Sequence, residues 1–174
     1  MLSQKMQDAL NAQINAEYYS SYLYLSMAAY CEDISFKGFA HWFRLQSQEE
    51  MIHVMKLFDY VIDRKGRVEL KSIDGPPVTW DSPLAVFEHA AKHEQHVTGL
   101  INRLASLAVA ENDHASHALL EWFVNEQVEE EATVEQIVAQ LKLAASTPAA
   151  LFILDRELSQ RPAPAATGEP GAQG

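Results

Sequence analysis

The chain has 174 residues, 48% of them hydrophobic and 21% charged, with a formal net charge of -11 and a single cysteine, Cys31. That length and apolar content suit one domain with a real core, and the acidity argues against nucleic acid or an anionic membrane as partner. One cysteine permits no intrachain disulfide. The opening residues lack the cationic stretch and apolar run of a signal peptide, no apolar run approaches the roughly 20 residues that span a bilayer, and a cytoplasmic location is the expectation.

Helix dominates, because Gly and Pro cluster between the periodic runs, where punctuation is expected. A first helix is predicted over Gln4 to Glu32, followed by an Asp33-Ile34-Ser35 turn in which Ser35 is the expected N-cap of a second helix. That helix runs from Phe36 to Lys65 and stops at Gly66. Residues 67–82 contain Asp74-Gly75-Pro76-Pro77, which cannot be helical. Ser82-Pro83 supplies a cap and then a proline at the first helical position, starting a third helix that reaches Glu111. Asn112-Asp113 turns the chain into a fourth helix, ending near Ala145, and Thr147-Pro148 opens a short fifth helix to Leu158. Residues 159–174, rich in Pro, Ala and Gly, are expected to be a disordered tail.

Short turns make the first and second helices antiparallel, and likewise the third and fourth. The long linker can run the length of the molecule and sets the second and third helices parallel. The fold class is therefore all-α: an up-down-down-up four-helix bundle over residues 1–158 with a long crossover and a short fifth helix.

Acidic residues interrupt the apolar seam of every long helix. The first seam reads Leu10, Ile14, Glu17, Ser21, Tyr24, Ala28, and the second Phe39, Phe43, Gln46, Glu50, His53, Leu57. The third is Phe87, Ala91, Glu94, Thr98, Ile101, and the fourth Leu120, Phe123, Gln127, Glu130, Val134. Such spacing defines a core-facing stripe, where an ionised carboxylate costs several kcal/mol unless a cation compensates it. At about 1.5 Å of rise per residue, Glu17 and Glu50 both lie roughly 25 Å from the first turn, and Glu94 and Glu130 roughly 27 Å from the second. The four glutamates and His53 therefore converge near mid-bundle. Glu50 and His53, three apart, share a helix face and can grip one ion. Oxygen donors with a single imidazole suit iron or manganese better than structural zinc.

Three segments carry a family resemblance: Asn15-Ala-Glu17-Tyr-Tyr-Ser-Ser-Tyr-Leu-Tyr24, Gln48-Glu-Glu50-Met-Ile-His53, and Trp122-Phe-Val-Asn-Glu126-Gln127-Val-Glu129-Glu130. The chain resembles bacterial non-haem ferritins over residues 1–158. The resemblance implies a ferritin-like di-iron domain whose ferroxidase centre oxidises Fe(II) with dioxygen or hydrogen peroxide. It assigns the first iron to Glu17, Glu50 and His53. Glu50 then bridges to a second iron held by Glu94 and Glu130, with Gln127 nearby. It further implies a third iron at Glu49, Glu126 and Glu129, an electron-donating role for Tyr24, and a 24-subunit hollow homo-oligomer that stores ferric mineral. Two alternatives stand beside it. A haem-containing bacterioferritin would prefer histidine where Glu130 stands, so no haem is expected. A soluble di-iron oxidase or peroxidase would call for a substrate tunnel or an electron-donor domain.

Overall fold

The computed structural model describes residues 2–144 and 147–164. Its elements are α1 (Gln4–Asp33), α2 (Lys37–Asp63), α3 (Pro83–Ala110), α4 (His114–Ala144) and α5 (Pro148–Leu158). The expected end of the fourth helix at residue 145 lies outside the described residues, as does the tail from 165.

Helix directions follow from contacts at the ends and the middle. Ser21 and Ser47 exchange hydroxyl-to-carbonyl hydrogen bonds of 2.8 Å halfway along α1 and α2, which holds those two backbones close. Ser3, before α1, donates to Glu111 at the end of α3 (2.5 Å), so α1 and α3 are antiparallel. The crossover lies along α1. Asn11 pairs with the Arg67 carbonyl and the Glu69 amide, both at 2.9 Å; Ser26 donates to the Pro77 carbonyl (2.6 Å), and Trp80 packs edge-on against Tyr30. A linker tacked at successive heights in this way spans the bundle, giving the up-down-down-up order.

The turns correct two details of the sequence reading. Ser35 caps no helix: it sits at φ 66, and the N-cap position of α2 belongs to Phe36, which makes no side-chain cap bond. Ser35 instead closes α1. Its amide donates to the Glu32 carbonyl and that of Phe36 to the Cys31 carbonyl, the paired bonds of a left-handed helix stop. Lys65, not Gly66, takes the equivalent position after α2 at φ 58, and Asn112 takes it after α3 at φ 54. Asn tolerates that conformation, whereas Lys carries a Cβ penalty. Lys65→Gly is therefore expected to stabilise the protein by about 0.5–1 kcal/mol; an unchanged or lower denaturation midpoint would count against a strained Lys65.

The apolar core is split in two. One cluster, including Leu23, Met27, Phe39, Phe43, Phe87, Ile137 and Leu141, fills the end near the α1–α2 turn. The other, including Met6, Leu10, Ile14, Val54, Leu57, Ile101, Leu120 and Phe123, fills the opposite end. Between them lies a buried polar layer built from Glu17, Gln46, Glu50, His53, Glu94, Gln127 and Glu130.

Candidate metal centre

Each long helix contributes its mid-length acid to that layer because its seam faces inward along its whole length. Glu17 and Glu94 are each 1% exposed, Glu50 3% and His53 4%. Potential ligand atoms of Glu17, Glu50 and His53 lie within 4.8 Å of one another, as do those of His53, Glu126 and Glu130. His53 thus belongs to both groups, and its Nδ1 stands 3.2 Å from Glu50 Oε2. Glu94, buried on α3, joins neither group: Tyr24 donates to its Oε1 and Gln127 Nε2 to its Oε2 at 3.1 Å.

The three outer residues behave differently. Glu126 is half-buried beside His53 and Glu130, while Glu129 is exposed and belongs to neither group. Glu49 is held by Arg161, whose guanidinium lies 2.5 Å from its Oε2. Arg161 belongs to the segment expected to be tail, of which residues 159–164 are among those described.

Several supporting side chains were not assigned roles from the sequence. Gln13 donates to Glu17 Oε1 (2.7 Å), and Gln46 donates to Glu130 Oε2 (2.8 Å). Thr98 links Gln127 to Glu131. Gln46 and Thr98 stand in the inward seams, so their positions were legible, but their partners depend on how the helices are rotated against each other. Arg161 gave no signal, since nothing in its local sequence tells where it docks. His93, on α3, is half-buried: its Nε2 meets Ser20 Oγ at 2.7 Å, and its ring packs edge-on against Tyr24. Burial lowers its pKa to about 4, so it stays neutral there.

The electrostatics are those of an anion cluster lacking countercharge. Among the described residues, no lysine or arginine pairs with Glu17, Glu50, Glu94 or Glu130. Burial, then the Glu50 charge, pushes the Glu17 carboxyl well above its usual range. Burial and the neighbouring Glu94 and Glu130 do the same to Glu50. Glu130 rises to about 7, through burial and then Glu94. Glu94 is raised by burial against the opposing pull of the Tyr24 and Gln127 donors, and burial raises Glu126. Burial beside Glu94 drives the Tyr24 phenol well up, so it remains protonated and a hydrogen-bond donor. Glu17 Oε2 and Gln46 Oε1 are buried with no hydrogen-bond partner. Orphaned oxygen atoms of this kind are costly in a folded interior. A hard or borderline divalent cation would satisfy Glu17 Oε2 and offset the repulsion together, displacing protons as it binds.

Comparison with known proteins agrees with this reading of the architecture. The family described as "Ferritin-like domain" matches residues 7–144. A "Bacterial non-heme ferritin" of Bacteroides fragilis (strain 638R) is 49% identical over 161 residues, covering 92% of this chain and all of that protein. A relative of the same name from Staphylococcus haemolyticus (strain JCSC1435) is 38% identical over 161 residues, covering 92% and 97%. The open pore ferritin of the hyperthermophilic archaeon Archaeoglobus fulgidus superposes with a TM-score of 0.92 at 52% identity, covering 93% of this chain and all of that one. A closed form engineered from A. fulgidus ferritin by site-directed mutagenesis gives 0.93 at 52% identity, covering 94% and 100%. The matched span takes in all four helices that build the carboxylate layer, and the chain belongs to the ferritin family.

Proposed function

We propose that this protein is an iron-storage ferritin that oxidises Fe(II) at a binuclear centre within each subunit and deposits ferric oxyhydroxide inside a 24-subunit shell. The observation that carries the reading is the set of buried carboxylates from all four helices, with one oxygen orphaned and, among the described residues, no lysine or arginine paired with them. Glu17, Glu50 and His53 hold the first ferrous ion. Glu50 also reaches the second, which Glu94 and Glu130 hold, with Gln127 hydrogen-bonded to Glu94. Glu49, Glu126 and Glu129 form a third site, and Tyr24 stands ready to supply an electron. Two ions held about 3.5–4 Å apart can engage both ends of an oxidant. Each ferrous ion gives up one electron, and dioxygen takes the pair with two protons to become hydrogen peroxide. Hydrogen peroxide used as the oxidant would take the pair with two protons and yield two water molecules.

Charge explains turnover. Four carboxylates balance two ferrous ions, and two ferric ions carry two further positive charges that this ligand set does not match. Hydrolysis supplies the missing negative charge as oxide or hydroxide, which displaces the carboxylates and carries the product outward.

The test is anaerobic Fe(II) titration of the metal-free shell followed by mixing with oxygen, watched for a transient visible absorbance. Glu50→Ala removes the ligand both ions share and is expected to abolish the transient. It should slow fast-phase oxidation by at least roughly 100-fold, about 3 kcal/mol of barrier. A Glu50→Ala protein that kept wild-type ferrous stoichiometry and transient would defeat the assignment.

A further inference from the structure

Two glutamines are sealed into the bundle beside the acids: Gln13 on α1, 3% exposed, and Gln46 on α2, 1% exposed. Glutamine is seldom fully buried, because its amide must find partners in place of water. Each makes a single side-chain hydrogen bond among the described residues, and in both the partner is an acid of the polar layer. Gln13 Nε2 donates to Glu17 Oε1 at 2.7 Å, and Gln46 Nε2 to Glu130 Oε2 at 2.8 Å. Gln46 reaches from α2 to α4 to do so, and its own Oε1 stays without a partner. Turned the other way, the amide would set its carbonyl oxygen against an ionised carboxylate. The orientation therefore serves Glu130 even though it leaves an acceptor orphaned.

The two acids held in this way fall one in each group of converging ligand atoms: Glu17 with Glu50 and His53, and Glu130 with His53 and Glu126. Both are crowded by like charge, Glu17 by Glu50 and Glu130 by Glu94 and Glu49. No other amide, hydroxyl or basic side chain among the described residues donates to either. Without the glutamine N–H, repulsion would be free to swing each carboxylate out of its group. The bond occupies one lone pair of one oxygen, so it orients the acid without blocking it. A ligand fixed before the ion arrives loses little conformational freedom on binding.

We propose that Gln13 and Gln46 are positioning residues that divide the centre between them: Gln13 sets Glu17 for the ion beside Glu50 and His53, and Gln46 sets Glu130 for the ion on the α4 side. The inference rests on the reading of the acid layer as a binuclear metal centre. Gln46 supplies the sharper distinction, because it shares α2 with Glu50 and His53 but acts on α4. A side chain that merely packed α2 would disturb the ion beside Glu17, whereas one that orients Glu130 disturbs the other.

Crystals of the metal-free, full-length protein equilibrated with graded Zn(II), which is redox-silent, give the half-filling concentration at each position by anomalous scattering, without turnover. Wild type is expected to fill both positions, beside Glu17 and beside Glu130. Gln13→Met keeps the length of the side chain but loses the N–H. It should raise the half-filling concentration beside Glu17 about tenfold relative to that beside Glu130, the low end for removing a ligand's hydrogen-bond partner. Gln46→Met should shift the same ratio about tenfold the opposite way. The ratio is the quantity to read because His53 belongs to both groups and couples the two ions. A shift of less than threefold in either variant, or shifts in the same direction in both, overturns the proposal; larger, opposite shifts support it. Should the protein fail to assemble with Met at either position, Leu replaces it there under the same criteria. If wild type holds fewer than two ions per subunit, the binuclear reading fails; if both positions fill and the ratio ignores residues 13 and 46, that reading stands and this inference falls.

Discussion

Glu17→Gln should make the metal-free protein more stable at pH 7.5 while impairing its iron chemistry. Glu17 is sealed between α1 and α2, one of its oxygens is orphaned, and Glu50 is its nearest like charge. A glutamine keeps an acceptor for the Gln13 bond and brings an amide donor where the orphaned oxygen stood. Removing a buried, unsatisfied acceptor is worth about 1–3 kcal/mol.

The pH dependence has a definite sign. The folded-state pKa of Glu17 is raised, so the folded protein binds a proton more tightly than the unfolded chain does. The protonated carboxyl is tolerated below the ordinary value of 4.5, and its stabilising contribution is lost as pH rises through the higher folded value. Glutamine imitates the protonated form. Its advantage should therefore be absent near pH 4.5, grow as pH rises, and be complete once Glu17 is ionised in the folded state. Glu130, at about 7, titrates within the same window and steepens the loss for wild type. Saturating Fe(II) under anaerobic conditions should reverse the order, because a ligand that binds only the folded state stabilises it, and the variant has lost part of that site. A pH-independent difference in unfolding midpoint between metal-free wild type and variant would remove the buried-anion account.

Gly38→Ala should undock α5. A Cβ at Gly38 would lie 1.6 Å from the Asp155 carbonyl oxygen and 2.5 Å from its carbon, so a backbone must move rather than a side chain. The close approach has a purpose. Phe36 gives α2 no side-chain cap, and the Asp155 carboxylate takes that role from α5, accepting from the Phe39 amide at 2.9 Å. Displacing α5 forfeits that cap, worth about 1 kcal/mol, along with part of the Leu154 burial and the Arg161 contacts beyond it. The total should reach about 3 kcal/mol, the upper range for overpacking. Cleavage after Arg156 by a trypsin-like protease should accelerate. Asp155→Ala, which loses the cap without the clash, should cost only about 1 kcal/mol. A Gly38→Ala protein that melted and resisted protease like wild type would show that α5 shifts at little cost.

How far the sequence alone reached can be seen residue by residue. The seam positions of Glu17, Glu50, Glu94 and Glu130, and the equal distances of each pair from its turn, were enough to place all four in one layer. Helical rise is nearly invariant and the turns are short, so height along a bundle is a local property. Connection lengths gave the up-down-down-up order for the same reason. Turn chemistry was less legible: Ser35 and Lys65 occupy left-handed positions where Asn or Gly would be favoured, each at a local cost of about 1 kcal/mol that no local pattern announces.

What tertiary structure decided was direction and partnership at a given height. Whether Glu49 meets a metal or an arginine depends on where a segment more than a hundred residues away comes to rest. The same holds for Asp155 over the start of α2, Gln46 on Glu130, and the Asn11 clamp on the crossover. Periodicity records which side of a helix faces inward. It carries no information on the rotation and separation of neighbouring helices, which packing of the two apolar clusters sets.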